Sequence, residues 1–229
     1  LSFKNHKICL SSRRKDALET VRQELHGSDH LVLPCDVVDS TSLQSAFDKI
    51  IETFGRLDKV IFAAGIYTPM PLQNYQHEDA IQTLDVNLKG AFTLFHVLHP
   101  YLFSKKSDIH LVWIASVAGY RGLPGSGAYG VSKAGLINFA EIQKLELQDL
   151  NTKVQLVNPG FVKTRLTDKN DFDMPQIITA DKAARFIEKG MESTRFEISF
   201  PPLFTFFMRF LRVLPDRLYF YLVRKFVKS

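Results

Sequence analysis

The chain has 229 residues, 45% of them hydrophobic, which suits one α/β domain with a substantial core. No stretch reaches the roughly 18 uninterrupted apolar residues of a membrane span, and no charged segment with an apolar run and cleavage site opens it, so we expect a cytoplasmic protein. The formal charge of +5 lies wholly beyond residue 202, where Arg209, Arg212, Arg217, Arg224, Lys225 and Lys228 outnumber one acid, Asp216. The neutral remainder argues against a nucleic-acid-binding domain, which would show a broad basic face.

Residues 7–12 read as a short strand and residues 15–25 as a helix presenting Leu18, Val21 and Leu25 at helical spacing. A second strand covers 30–35. Cys9 and Cys35 sit in these apolar runs with no metal-ligand or Cys-x-x-Cys spacing, so buried free thiols are expected. Residues 41–54 carry a helical stripe of Leu43, Phe47, Ile50, Ile51 and Phe54, ended by Gly55. A strand at 59–65 runs into a loop with two prolines, then a long helix over 77–103 containing Asn87 and Gly90. A buried strand follows at 109–115, a Gly/Pro-rich loop, and a helix from about 129 to 150. The pattern closes with a strand at 153–157, a polar flap at 165–178, a helix near 180–191 and a strand at 196–200. Strands alternating with helices predict a doubly wound α/β domain, with a mostly parallel sheet and helices on both faces.

The stretch 116–133 carries the chemistry. Tyr129 and Lys133, four apart on a helix, share one face, so an ammonium can favour the ionised phenol. A phenol otherwise has a pKa of about 10 and exchanges protons poorly near neutrality. Ser116, at the end of the preceding strand, can hydrogen-bond the oxygen that Tyr129 protonates. Together the three suit carbonyl/alcohol chemistry.

This serine, tyrosine and lysine spacing resembles the short-chain dehydrogenase/reductase family, and the likeness runs along nearly the whole chain. It implies that Tyr129 is the general acid/base, that Lys133 lowers its pKa and holds the nicotinamide ribose, and that Ser116 orients the substrate oxygen. Asn87 matches the family's helix asparagine, which helps hold a water that connects the lysine to solvent. The resemblance further implies Asp36 and Val37 at the adenine, although Asp36 can equally be a turn or capping aspartate. It places Ala64 and Gly65 beside the cofactor, where Phe62 and Ala63 replace two asparagines of the family pattern. Pro159, Gly160, Val162 and Thr164 correspond to the segment that contacts the nicotinamide carboxamide. After the 7–12 strand, where NAD-preferring members carry an acid, this chain has Arg13 and Arg14, which fit a 2′-phosphate. NADP is the expected cofactor, with NAD left open.

A nucleotide-binding unit of this type opens with a strand and a glycine-rich turn that holds the pyrophosphate. No such turn precedes Lys7, and residues 1–5 read as the tail of the helix that would follow it. We expect the missing unit to lie upstream, because a sheet without its central strand would expose strand edges and apolar helix faces. The competing expectation is a chain that truly begins here, a catalytically silent nucleotide sensor or scaffold. A third expectation, by analogy with family members that pair long helices, is a homo-oligomer.

Residues 1–200 are thus expected to form the catalytic domain and 201–229 an apolar, basic helical extension. Prolines predict one helix after Pro202 and another after Pro215, both rich in aromatics. Two destinies fit them equally: contact with a membrane surface, or folding over the substrate pocket or a subunit partner. With loop residues Tyr67, Tyr120 and Phe161, the tail suggests a lipophilic carbonyl or alcohol substrate.

Overall fold

The computed structural model describes residues 1–4, 6–104, 108–169 and 172–226. Six parallel strands alternate with helices: β1 (Cys9–Leu10), α1 (Lys15–Gln23), β2 (Leu31–Val32), α2 (Ser40–Phe54), β3 (Lys59–Phe62), α3 (His77–Leu84), α4 (Gly90–Ser104), β4 (His110–Ile114), α5 (Gly127–Glu146), β5 (Lys153–Pro159), α6 (Ala180–Glu192) and β6 (Glu197–Phe200). Two further helices, α7 (Pro202–Val213) and α8 (Asp216–Phe226), end the described chain.

A mostly parallel sheet lacking its central strand is the expectation, and the strands form two parallel groups. β3, β4, β5 and β6 lie side by side in that order, while β1 pairs with β2. Among the described residues no strand joins β1 to β3. The β1–β2 ladder is longer than its two-residue core, since Leu31, Leu33 and Cys35 donate to the carbonyls of Ile8, Leu10 and Ser12. At the start of the chain, where a helix tail was expected, Ser2–Lys4 form a single 3-10 turn. Lys4 pairs there with Glu188 and Glu192 of α6; Asn5 lies outside the described residues.

Alternation along the strands explains the layers. In β4, Leu111 and Trp113 face one core while Val112 faces another, and in β5 Val154 and Leu156 oppose Val157. The first core receives Leu98 and Leu102 of α4 and Leu136, Phe139 and Ala140 of α5; the second receives Ala183 and Met191 of α6. Both faces are therefore covered, as a parallel sheet requires. Phe62, which replaces a family asparagine, is a core residue packed 5.6 Å from the Trp113 ring. Both cysteines are free thiols; Cys35 is buried, and burial pushes the Cys9 thiol up to about 11.

The long helix expected over 77–103 is divided. Between α3 and α4, Asp85–Lys89 form one π-helical turn centred on the fully buried Asn87, a wider turn of the kind that marks functional sites. α2 begins on Asp39, whose carboxylate accepts from the amides of Thr41 and Ser42, and ends on Gly55 at φ 71°. Asp39 thus takes the capping role that had also been open to Asp36.

The C-terminal extension is built into the main core. Met208, Leu211, Tyr219 and Val223 belong to the same cluster as Trp113 and Leu136. Arg121 stacks 3.9 Å over the Tyr219 ring, donates to the Leu214 carbonyl at 2.6 Å and pairs with Asp216, fastening the turn between α7 and α8. Lys228, the last of the basic tail residues, lies outside the described residues.

Candidate active site

The strands run parallel, so their carboxyl ends and following loops share one edge, where such sheets bind ligands. Every candidate residue taken from the loops lies at this edge: Arg13 and Arg14 after β1, Asp36 and Val37 after β2, Ala64 and Gly65 after β3, Ser116 after β4, Pro159 and Gly160 after β5.

Ser116 reaches Tyr129 because two backbones approach closely. The 3-10 turn Val117–Gly119 lies against α5, where a Cβ on Gly119 would come 2.6 Å from the Lys133 backbone carbon. Only glycine permits that approach. The Ser116 hydroxyl accepts from the Ala118 amide at 3.2 Å and faces the Tyr129 phenol. Burial raises the phenol's pKa, and the Ser116 hydroxyl pulls it the other way. Tyr67 closes edge-on over the same ring at 5.0 Å.

Lys133 differs from expectation. Its ammonium is buried, lies 5.7 Å from the centre of the Tyr129 ring and donates to the Ile114 carbonyl at 2.8 Å. Desolvation drops its pKa to about 8. The expected lowering of the tyrosine by the lysine is not present, and Tyr129 is shifted upward instead. The reason is burial of the phenol, the largest influence on it, while the ammonium is engaged by the Ile114 carbonyl.

Asn87 joins two elements. Its amide accepts from the Ile66 amide at 2.8 Å and donates to the Ile66 carbonyl at 2.9 Å and the Ser132 hydroxyl at 3.1 Å. It therefore clasps the strand-end loop to α5. A Cβ on Gly65 would stand 3.6 Å from both Asn87 Oδ1 and Lys133 Nζ, so Gly65, Asn87 and Lys133 enclose one small space. Ala64 beside it packs on the core.

At the far end, Arg13 lies 4.0 Å from the Asp36 carboxylate, and Asp36 accepts from the Val38 amide at 3.1 Å. Val37 packs so tightly on α4 that a Cβ on Gly90 would lie 2.8 Å from it. Arg14 precedes α1 as its exposed first flanking residue. On the other side, Gly160 donates to the Phe200 carbonyl at 2.7 Å, and Val162 bridges Ile178. The Thr164 amide donates to the Thr167 hydroxyl at 2.9 Å, so its backbone shapes the flap start. Lys169 donates to the Tyr67 carbonyl at 2.7 Å, tying the flap across the site; residues 170–171 of the flap lie outside the described residues.

A cluster not foreseen lies behind these loops. Glu197 accepts from the Tyr120 hydroxyl and, at 2.8 Å, from the Asn158 amide, while Arg209 of α7 pairs with its other oxygen at 2.8 Å. Tyr120 is thus a buried structural residue and not a substrate contact. Phe204 of α7 packs against Gly160, where a Cβ would come 2.6 Å from its ring, and lies 5.4 Å from Phe161. A lone acid in the apolar run Phe-Glu-Ile-Ser-Phe was the available signal for Glu197.

Such an edge, with a serine and a tyrosine set beside a buried lysine, defines a dinucleotide-dependent oxidoreductase. The short chain dehydrogenase family model matches residues 1–174, and the chain belongs to that family of NAD(P)-dependent oxidoreductases. It is 30% identical over 222 residues to an uncharacterised oxidoreductase of Myxococcus xanthus, covering 96% of this chain and 87% of that one. It is 35% identical over 167 residues to carbonyl reductase family member 4 of Danio rerio, covering 73% and 70%. A short chain dehydrogenase from Burkholderia cenocepacia solved with NADP shares the fold at TM-score 0.80 and 20% identity, over 97% of this chain and 87% of that one. One from Burkholderia phymatum solved with NAD does so at 0.78 and 22%, over 89% and 83%.

Proposed function

We propose that this chain interconverts a carbonyl and an alcohol, with Tyr129 giving the proton to, or taking it from, the substrate oxygen. The observation that carries this reading is the buried Lys133 ammonium 5.7 Å from the centre of the Tyr129 ring, with Ser116 placed to favour the ionised phenol. The nicotinamide cofactor supplies hydride to the carbonyl carbon or accepts it from the alcohol carbon. Ser116 holds the substrate oxygen, Lys133 stands ready to exchange a proton near pH 8, and Asn87 braces the loop beside it.

The residues fit an NADP-preferring site. Arg13 and Arg14 carry no competing acid except Asp36, which is the proposed adenine partner together with Val37. Ala64 and Gly65 leave room beside Lys133 for the ribose, and Pro159, Gly160, Val162 and Thr164 offer backbone for the carboxamide. NADP is preferred and NAD remains usable; solved family members with each cofactor and the named carbonyl reductase relatives support this reading. The silent-scaffold alternative is not favoured, because Ser116, Tyr129 and Lys133 are assembled and the Phe62 departure serves the core.

We propose further that residues 1–200 are the catalytic unit and 201–229 a helical extension. The substrate is lipophilic, and the protein is a cytoplasmic homo-oligomer that meets a membrane surface peripherally through the extension. Replacement of Tyr129 by Phe is the test: carbonyl reduction should fall by 10² or more while NADPH binding, read by fluorescence, persists. Near-normal turnover would refute the role of Tyr129.

A further inference from the structure

The C-terminal helices are anchored by one face and bare on the other. α7 buries Thr205, Met208 and Leu211, yet turns Leu203, Phe206, Phe207, Phe210 and Val213 outward. Phe206 is 71% exposed and Val213 76%. Their spacing places all five on one stripe, where a surface helix ordinarily carries polar residues. α8 likewise buries Tyr219 and Val223. Its outer face, Arg217, Phe220, Tyr221, Arg224 and Lys225, lines one shallow surface hollow.

The ion pairs of these helices leave two arginines over. Arg209 and Arg212 are held by Glu197 and Glu141, and Asp216 is held by Arg121. Among the described residues, Arg217 and Arg224 form no ion pair. The bare surface therefore joins a large apolar stripe to cations interleaved with aromatics.

We infer that this face docks on a bilayer containing anionic phospholipids, an inference that rests on the peripheral placement proposed above. The Tyr221 ring suits the headgroup depth, where one end of a side chain is apolar and the other wet, and the Phe side chains enter the acyl boundary. Arg217, Arg224 and Lys225 meet the lipid phosphates through charge-assisted hydrogen bonds. The helices lie in the interface plane, because none among the described residues is long and apolar enough to cross a membrane. A second copy fits less well, since a two-fold contact uses the same face twice and this face offers Arg217 and Arg224 no acid to meet. The inner faces meanwhile hold Gly160 and Glu197, so the docked surface stands directly behind the site's loops.

Flotation of the full chain with phosphatidylcholine vesicles, with and without phosphatidylglycerol, tests the inference. Flotation should require phosphatidylglycerol, fall with salt, and drop roughly tenfold or more in Arg217→Glu/Arg224→Glu. Phe206→Ser/Phe210→Ser should lose it too, with an unchanged circular dichroism spectrum because both side chains are exposed. The salt series tests the same point without any substitution. Equal flotation with both vesicles would overturn the anionic requirement and leave the peripheral placement standing; flotation with neither would overturn both. Self-association abolished by Phe206→Ser/Phe210→Ser, without flotation, would assign the face to a second copy.

Discussion

The Lys133 ammonium donates to the Ile114 carbonyl at 2.8 Å, at the end of the strand that delivers Ser116. Its burial drops the pKa to about 8, against about 10.4 in an unfolded chain. Between these values the unfolded state holds a proton that the folded state has released, so stability rises with pH across the window. Below about pH 8 the folded protein carries the full cost of a buried charge. Lys133→Met should therefore be more stable than the parent at pH 7, by an amount on the order of 3 kcal/mol at most. The difference should shrink toward pH 10. Urea unfolding from pH 7 to 10 measures it, and parallel curves for the two proteins would contradict it.

Ser116 is expected to tune Tyr129. Its hydroxyl favours the phenolate against the upward push of burial. Ser116→Ala removes that hydroxyl, so the rise of alcohol oxidation with pH should move to higher pH. A pH profile of kcat/KM shows the shift, and an unmoved profile would separate Ser116 from the phenol.

Two glycines three residues apart should behave oppositely. Alanine at Gly119 would place its Cβ 2.6 Å from backbone of α5, which cannot yield, whereas Gly122 has nothing within 4 Å. Gly119→Ala should cost about 1–3 kcal/mol of stability and displace Ser116 from Tyr129, lowering turnover. Gly122→Ala should remain within about 0.5 kcal/mol of the parent. Thermal melts of the pair decide it, and equal melting points would contradict the packing argument.

Cofactor choice should depend on Arg13 and Arg14. A hydrogen bond to a charged group contributes about 1.5–3 kcal/mol, so Arg13→Ala/Arg14→Ala should weaken NADPH binding roughly 10- to 100-fold. NADH binding should change little. Titration of both nucleotides measures the ratio, and an equal loss for both would remove the 2′-phosphate role.

Most of the order of elements was legible in the chain. The helix of residues 40–54, with Asp39 before it and Gly55 after, and the apolar strand leading to Ser116 follow from periodicity and punctuation, which act locally. Tyr129 and Lys133 share a helix face by spacing alone, whereas Ser116 meets them because Gly119 lets its turn approach α5. Tertiary structure alone decided the rest. Burial, which depends on every neighbour, raised Tyr129 and sent the Lys133 ammonium to Ile114 instead of the phenol. Packing across the sheet made Tyr120 a partner of Glu197 and drew Arg209, 12 residues further along the chain, to the same carboxylate. The C-terminal helices show the boundary most clearly. Their composition alone fitted either a lid or a membrane contact, because aromatics occupy nearly every side of them. Only the fold separated the inner face, with Met208 and Tyr219 in the core, from the outer one, with Phe206 and Tyr221 exposed.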